Sequence, residues 1–230
     1  MIAKKDYKSQ LKSVKNRISE ACQTANRAQD SVQLIGASKT KPASMVRDFF
    51  NLGQTHFGEN YLNEALTKQQ ELHDLDITWH YIGQIQSNKT KLIANHFDWV
   101  HGVDRYRVAD RLNTQKDTKK PLNILIQINV DEEDSKAGIG LNDAIDLTKM
   151  IAQLPNITLR GYMALPKARE DFIAQKNCLI QLSEALDAAN QSLGLQMDTI
   201  SAGMSNDLEA AVAAGTTMVR IGTDLFGART

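Results

Sequence analysis

The stretch MDTISAGMSNDLEAAVAAGTTMVRIG, residues 197–222, contains the pattern that decides the fold. It begins with a short apolar run that predicts a strand (197–203), continues with a glycine-containing turn and a helix capped by Ser205 or Asn206, and ends with a second strand-like run (217–222). Gly215 stands where the helix would end. Two consecutive strands joined by a helix lie parallel in one sheet. The stretch therefore predicts a β-α-β unit.

The same alternation extends over almost the whole chain. Apolar runs of strand length, separated by helical patterns, predict eight strands at 32–38, 55–59, 77–83, 98–103, 122–130, 157–165, 197–203 and 217–222. Eight such units are the number that closes a (β/α)8 TIM-type barrel. An open doubly wound sheet is the alternative, but no Gly-x-Gly-x-x-Gly motif follows the first strand, where that fold would need its phosphate-binding turn. We expect a single α/β barrel domain over residues 1–230.

An extra helix precedes the first strand. Tyr7, Leu11, Val14, Ile18 and Cys22 recur at helical spacing and form one apolar stripe. This stripe predicts an N-terminal helix that packs against its own domain.

The overall composition excludes several classes of partner. Lys and Arg number 27 and Asp and Glu number 27, so bulk charge attracts neither nucleic acid nor an anionic membrane. No apolar run is long enough to span a bilayer, and the charged N-terminus is unlike a secretory signal. The five histidines and two cysteines show no metal-ligand spacing. We expect a cytoplasmic monomer with no metal, nucleic-acid or membrane partner.

The candidate site follows the C-terminal ends of the strands, where barrels of this type place their chemistry. The first strand ends in SKTKP, which contains Lys39 and Lys41. The last two strands end in GMSND and RIGTD, where unpaired backbone N–H groups predict an anion site that includes Gly222 and Thr223, with Arg220 nearby. The alternative is a plain capped helix with Arg220 in an internal ion pair.

Closure of the barrel would place Lys39 beside Arg220, because the eighth strand lies next to the first. A lysine beside a phosphate cradle is the arrangement that pyridoxal 5′-phosphate (PLP) needs, since the phosphate binds the anion site and the aldehyde reacts with the amine. Partial burial and the adjacent arginine would favour the neutral, nucleophilic amine. The alternative is that Lys39 is an ion-paired structural lysine, for instance with Glu59 from the neighbouring strand, and strand parity leaves the choice between Lys39 and Lys41 open.

Seven motifs occur in a fixed order between about Leu34 and Gly227: SKTKP, FGENY, WHYIGQIQSNK, DEEDSKAGI, GYMALP, GMSNDLEAAV and VRIGTDLFG. Together they resemble the pyridoxal phosphate homeostasis proteins, single-domain relatives of the alanine racemase N-terminal barrel. The resemblance implies that Lys39 holds PLP as an internal aldimine and that Asn60 lies close to the cofactor ring. It also implies that Ser205 and the backbone of Gly222 and Thr223 hold the phosphate, and that Arg220 faces the ring nitrogen or the phosphate.

The same resemblance implies a role in intracellular PLP homeostasis, without robust catalytic turnover and with PLP-dependent apo-enzymes as recipients. The related racemases add a second, β-rich domain that supplies a tyrosine base, whereas the predicted barrel occupies this sequence through Arg229. A small PLP-dependent amino-acid racemase is the first alternative. A barrel aldolase that uses a Schiff-base lysine on a sugar phosphate is the second.

Overall fold

The computed structural model describes residues 6–117, 121–131 and 137–227. Its eight strands are all parallel and form a closed barrel in chain order, with the eighth strand paired to the first. The predicted (β/α)8 barrel is therefore confirmed, and the open-sheet alternative is wrong. None of the helices within the described ranges is long and apolar enough to span a membrane.

Every strand lies within the range that the sequence predicted. The strands are β1 (Gln33–Ala37), β2 (His56–Glu59), β3 (Thr78–Tyr81), β4 (Trp99–Val103), β5 (Leu122–Ile128), β6 (Ile157–Ala164), β7 (Thr199–Ser201) and β8 (Met218–Ile221). The helices are α1 (Tyr7–Thr24), α2 (Ala43–Asn51), α3 (Leu62–Glu71), α4 (Thr90–His96), α5 (Tyr106–Thr114), α6 (Ala144–Ile151), α7 (Phe172–Leu193), α8 (Leu208–Ala213) and α9 (Thr223–Phe226).

Helix α1 is the predicted N-terminal addition to the barrel. Its first turn is capped by Asp6, whose carboxylate accepts a hydrogen bond of 3.0 Å from the Ser9 N–H. Leu11, Val14 and Ile18 on the predicted stripe are buried, and each contributes roughly 1.5–3 kcal/mol through removal from water. The helix packs on α8 and α9, so it lies against the last two βα units.

The interior of the barrel is apolar at one level and polar at another. Alternate residues of a strand face opposite sides of the sheet, so one set packs outward against the helices and the other fills the barrel. Ile35, Trp99, Leu125, Met163 and Met218 form an apolar cluster separate from the main core. Buried polar side chains, among them His80, His101 and Arg220, also occur on these strands and lead to the site.

Candidate functional site

One cleft contains five of the six predicted site residues. It has a volume of about 350 Å³ at the C-terminal ends of β1, β7 and β8. Lys39, Ser205, Arg220, Gly222 and Thr223 all line it. The pairing of β1 with β8, which aligns Ile35 with Arg220, brings these distant segments of the chain together.

The loop that carries Lys39 has an unusual backbone. Lys39 is half-buried, and the next residue, Thr40, has a φ of +63°, a conformation that costs a β-branched residue about 1–3 kcal/mol. The Thr40 N–H donates a hydrogen bond of 2.6 Å to the Glu64 carboxylate, which helps to hold this turn. Lys41 also lines the cleft but is only 8% exposed. The geometry therefore places both lysines at the cleft.

A buried ion pair supports this loop from beneath. Lys68 donates hydrogen bonds of 2.7 Å to the Glu59 carboxylate and of 2.7 Å to the Ser38 carbonyl. The Ser38 hydroxyl donates a further bond of 2.5 Å to Glu59. Burial raises the pKa of the Glu59 carboxyl, and the Lys68 charge opposes that shift. The lysine that the structure pairs with Glu59 is therefore Lys68.

The anion loops have the predicted composition but a different cap. Gly203 has a φ of +95°, and a Cβ there would lie 2.7 Å from the Ala211 Cβ, so this turn requires glycine. Asp207, not Ser205 or Asn206, occupies the N-cap position of helix α8 but makes no capping hydrogen bond through its side chain; its carboxylate instead accepts a bond of 2.6 Å from the Met204 N–H. This correction leaves Ser205 and Asn206 in the turn that borders the cleft.

Unsatisfied backbone donors surround the cleft. In the described part of the chain, the N–H groups of Ser205, Asn206 and Thr223 find no protein acceptor. Backbone N–H groups seldom remain unpaired unless water or a ligand accepts from them. Three such donors on two adjacent loops form a site suited to a tetrahedral anion.

Arg220 lies inside the barrel at the base of the cleft. It is 5% exposed, and it donates hydrogen bonds of 2.5 Å to the Ser201 hydroxyl and of 2.9 Å to the Ala164 carbonyl. Burial lowers its pKa to about 10, so it stays cationic at neutral pH. Because these acceptors are a hydroxyl and a carbonyl, the internal ion pair considered from the sequence is not what holds Arg220.

A chain of histidines continues from Arg220 through the barrel. The Ser201 hydroxyl lies 2.9 Å from His101 Nδ1, and His101 Nε2 lies 2.9 Å from His80 Nδ1. His80 Nε2 in turn lies 2.9 Å from His56 Nδ1. A neutral imidazole has one donor and one acceptor nitrogen. The three neutral rings can therefore form a chain in which every hydrogen bond is donated in the same direction. The sequence analysis missed this chain.

The environment of the histidine chain keeps it uncharged. His80 and His101 are fully buried, and desolvation lowers the pKa of both well below the ordinary value. Protonation of His101 or His56 would lower the pKa of His80 further, and the Arg220 charge lowers that of His101. Desolvation also lowers the pKa of the partly buried His56, although Asp98 opposes this.

Because of these rings, we expect the free energy of unfolding to decrease as the pH is lowered. In the unfolded chain His80 and His101 protonate near pH 6.5, whereas in the folded chain they stay neutral, so the unfolded state binds more protons below that pH. The free energy of unfolding should drop by about 2–3 kcal/mol between about pH 7.5 and about pH 5.5, because the unfolded chain takes up roughly one proton on each ring over this range. Urea unfolding at the two pH values measures the difference.

The matched variants are His101→Asn and His73→Gln. Asparagine cannot titrate, so the first variant should lose about half of the pH-dependent difference. His73 lies on the surface, and its substitution should leave the difference unchanged. Equal pH dependence in wild type and His101→Asn would show that these rings do not cause it.

Asn60 lies apart from the other predicted residues. It lines a neighbouring cavity of about 490 Å³ together with Tyr81, Gly83 and Lys89. Its Oδ1 is buried and finds no donor among the residues that the structure describes. The expected position of Asn60 beside a cofactor ring therefore remains a prediction. Within the described ranges, no group of three or more His, Cys, Asp or Glu could hold a metal ion.

The family model described as alanine racemase, N-terminal domain, matches residues 10–230. The chain is 51% identical over 214 residues to a protein of Pseudomonas aeruginosa named pyridoxal phosphate homeostasis protein, covering 93% of this chain and 91% of the relative. It is 46% identical over 223 residues to the protein of the same name from Pasteurella multocida, covering 95% of this chain and 96% of the relative.

Solved structures show the same likeness. PipY of Synechococcus elongatus, solved with PLP bound, aligns with a TM-score of 0.85 at 33% identity, covering 96% of this chain and 100% of that chain. Alanine racemase of Clostridium difficile, in complex with cycloserine, aligns with a TM-score of 0.74 at 11% identity, covering 92% of this chain and 59% of that chain. The second similarity is one of fold alone.

Proposed function

Since this chain belongs to the pyridoxal phosphate homeostasis proteins, within the family of the alanine racemase N-terminal domain, we propose that it binds PLP and acts in intracellular PLP homeostasis. The observation that carries the proposal is the cleft that Lys39 lines together with two loops whose N–H groups find no acceptor among the described residues. The PLP bound to PipY, a relative of 33% identity over nearly the whole chain, supports it.

The residues of the cleft fit the chemical groups of PLP. Ser205, Gly222 and Thr223 would bind the phosphate through a hydroxyl and through backbone donors. The Lys39 amine would add to the aldehyde carbon and release water, which leaves a Schiff base to the chain. The covalent link and the phosphate contacts would then hold the cofactor at both ends. Asn60 lines the neighbouring cavity, and its buried Oδ1 has no donor among the residues that the structure describes; the family resemblance is what supports a place for it close to the ring.

Arg220 would give the site a character that disfavours turnover. PLP supplies an electron sink to enzymes, and protonation of its ring nitrogen strengthens that sink. A cationic arginine beside the nitrogen opposes that protonation. Tyr81 near the neighbouring cavity is poorly suited to act as a base, because its hydroxyl donates to the Gln84 carbonyl and burial raises its pKa. We therefore favour a binding role over a racemase.

The cellular side of the proposal follows from the family. We propose a cytoplasmic, monomeric, single-domain protein that passes PLP to PLP-dependent apo-enzymes. It would act without nucleic acid and without a membrane, in line with the balanced charge of the chain.

Titration of the protein with PLP tests the proposal. We expect one PLP to bind per chain, with a visible absorption band that saturates, and no racemisation of amino acids at rates typical of enzymes, about 1–1,000 per second. A sugar phosphate trapped by borohydride without such a band would favour the aldolase alternative. Rapid racemisation would favour the racemase, and the absence of any saturable band would refute PLP binding.

A further inference from the structure

Helix α1 contacts the anion loops through one side chain. Arg17, whose side chain is 32% exposed, donates hydrogen bonds of 2.9 and 3.0 Å to the Glu209 carboxylate on α8. It also donates bonds of 2.6 Å to the Asp224 carboxylate on α9 and of 3.0 Å to the Ser205 carbonyl. One guanidinium thus joins a helix outside the eight βα units to both loops of the cleft.

The bond to the Ser205 carbonyl orients the donor that follows it. A trans peptide is planar, so its carbonyl and the next N–H point in opposite directions. When Arg17 fixes the Ser205 carbonyl on the side of α1, the Asn206 N–H is turned to the other side. Asn206 lines the cleft, and its N–H is one of the donors that lack an acceptor in the ranges described.

The bonds to the two carboxylates reduce negative charge beside the cleft. Asp224 lines the cleft at the start of α9, where it would repel a bound phosphate dianion. Arg17 neutralises much of this charge through the bond of 2.6 Å. Burial raises the pKa of Glu209, but the hydrogen bond and the charge of Arg17, together with a backbone hydrogen bond, outweigh it, so the pKa is lowered overall.

We propose that Arg17 is a positioning residue for the phosphate group of PLP, which turns the Asn206 N–H toward the cleft and compensates the charge of Asp224. The proposal rests on the proposed function. It assigns to α1 a part in cofactor recognition, although α1 lies outside the strand ends that line the cleft. It concerns only the phosphate end of the ligand, and this makes it separable from a general effect on folding.

The test compares PLP with pyridoxal, which has the aldehyde but no phosphate. We expect Arg17→Met to raise the Kd for PLP by about tenfold or more. The variant loses the charge-assisted contacts of Arg17 with Glu209, Asp224 and the Ser205 carbonyl, which orient the Asn206 N–H and offset the charge of Asp224. Its Kd for pyridoxal should stay within about twofold of wild type, since the amine and the ring site are unchanged.

The control variant is Arg47→Met. Arg47 on α2 is also an exposed arginine with a forked bond to one carboxylate, at 2.6 and 2.8 Å to Asp74, and a bond to a backbone carbonyl, at 3.1 Å to Glu71. Neither Arg47 nor Asp74 lines the cleft. Arg47→Met should therefore leave both dissociation constants unchanged.

Two outcomes overturn the proposal. If Arg17→Met weakens PLP and pyridoxal equally, or weakens neither, Arg17 does not act on the phosphate. If Arg17→Met fails to fold, Arg17→Lys takes its place, because lysine keeps the charge but cannot bridge all three partners. The change in Kd for PLP is then compared with the change in Kd for pyridoxal in the same way. As a readout without PLP, inorganic phosphate should raise the melting temperature of wild type more than that of Arg17→Lys. Wild-type protein that binds neither PLP nor pyridoxal would refute the proposed function itself.

Discussion

The Lys39→Ala variant is expected to lose covalently held PLP. Alanine has no amine to form the Schiff base, so only the phosphate and ring contacts remain, and we expect retention of PLP to fall by about two orders of magnitude. Gel filtration of the PLP-loaded protein, followed by a visible spectrum of the protein fraction, measures the loss. The variant should still fold, because Lys39 is half-buried at a strand end rather than in the core.

Lys41→Ala is the matched control for this experiment. Lys41 is two residues away, carries the same amine and lines the same cleft. The variant should keep the visible band and most of its PLP. The reverse result, in which Lys41→Ala loses the band while Lys39→Ala keeps it, would move the Schiff base to Lys41 and contradict the assignment drawn from the family resemblance.

The Lys68→Met variant is expected to lose about 3–5 kcal/mol in free energy of unfolding, because it leaves the Glu59 carboxylate buried without its cation. The side chains of Lys68 and Glu59 are 5% and 0% exposed, and Glu59 Oε2 already lacks a donor within the described chain. A loss of this size is large against a typical total of about 5–15 kcal/mol. Urea unfolding near neutral pH measures it.

A double variant separates the buried charge from a simple packing defect. Glu59→Gln combined with Lys68→Met removes both charges, so it should lose less than half as much stability as Lys68→Met alone. Arg105→Met breaks the more exposed pair with Asp104 and should change stability by less than about 1 kcal/mol. A Lys68→Met variant as stable as Arg105→Met would show that the buried pair does not secure the Lys39 loop.

The fold was predictable because its signals are local. Each strand is a short apolar run, and each crossover has a helical pattern, so the count of eight follows from the sequence alone. The juxtaposition of Lys39 and Arg220 then follows from barrel closure, which the pairing of β1 with β8 confirms. The error at the start of α8 is also local, because Ser205, Asn206 and Asp207 are all residue types that favour the N-cap position, and the turn places Asp207 there.

The supporting contacts of the site could not be predicted in the same way. Lys68 has the helical spacing of a surface lysine paired with Glu64, and only the packing of α3 on the barrel buries it against Glu59. The three histidines of the chain are 24 and 21 residues apart, a spacing that no motif describes. Strand register brings them together. The one signal available in the sequence was that each histidine occupies an inward-facing position on one of three successive strands.

Borohydride reduction followed by peptide mapping shows whether Lys39 carries PLP. Reduction fixes the cofactor to the amine that held it, so proteolysis and mass spectrometry of the loaded wild-type protein identify the residue. We expect a single phosphopyridoxyl group on the peptide that contains Lys39, with fragmentation placing it there and not on Lys41. A label on Lys41 or on another lysine, or no label on a protein that binds PLP, would contradict it.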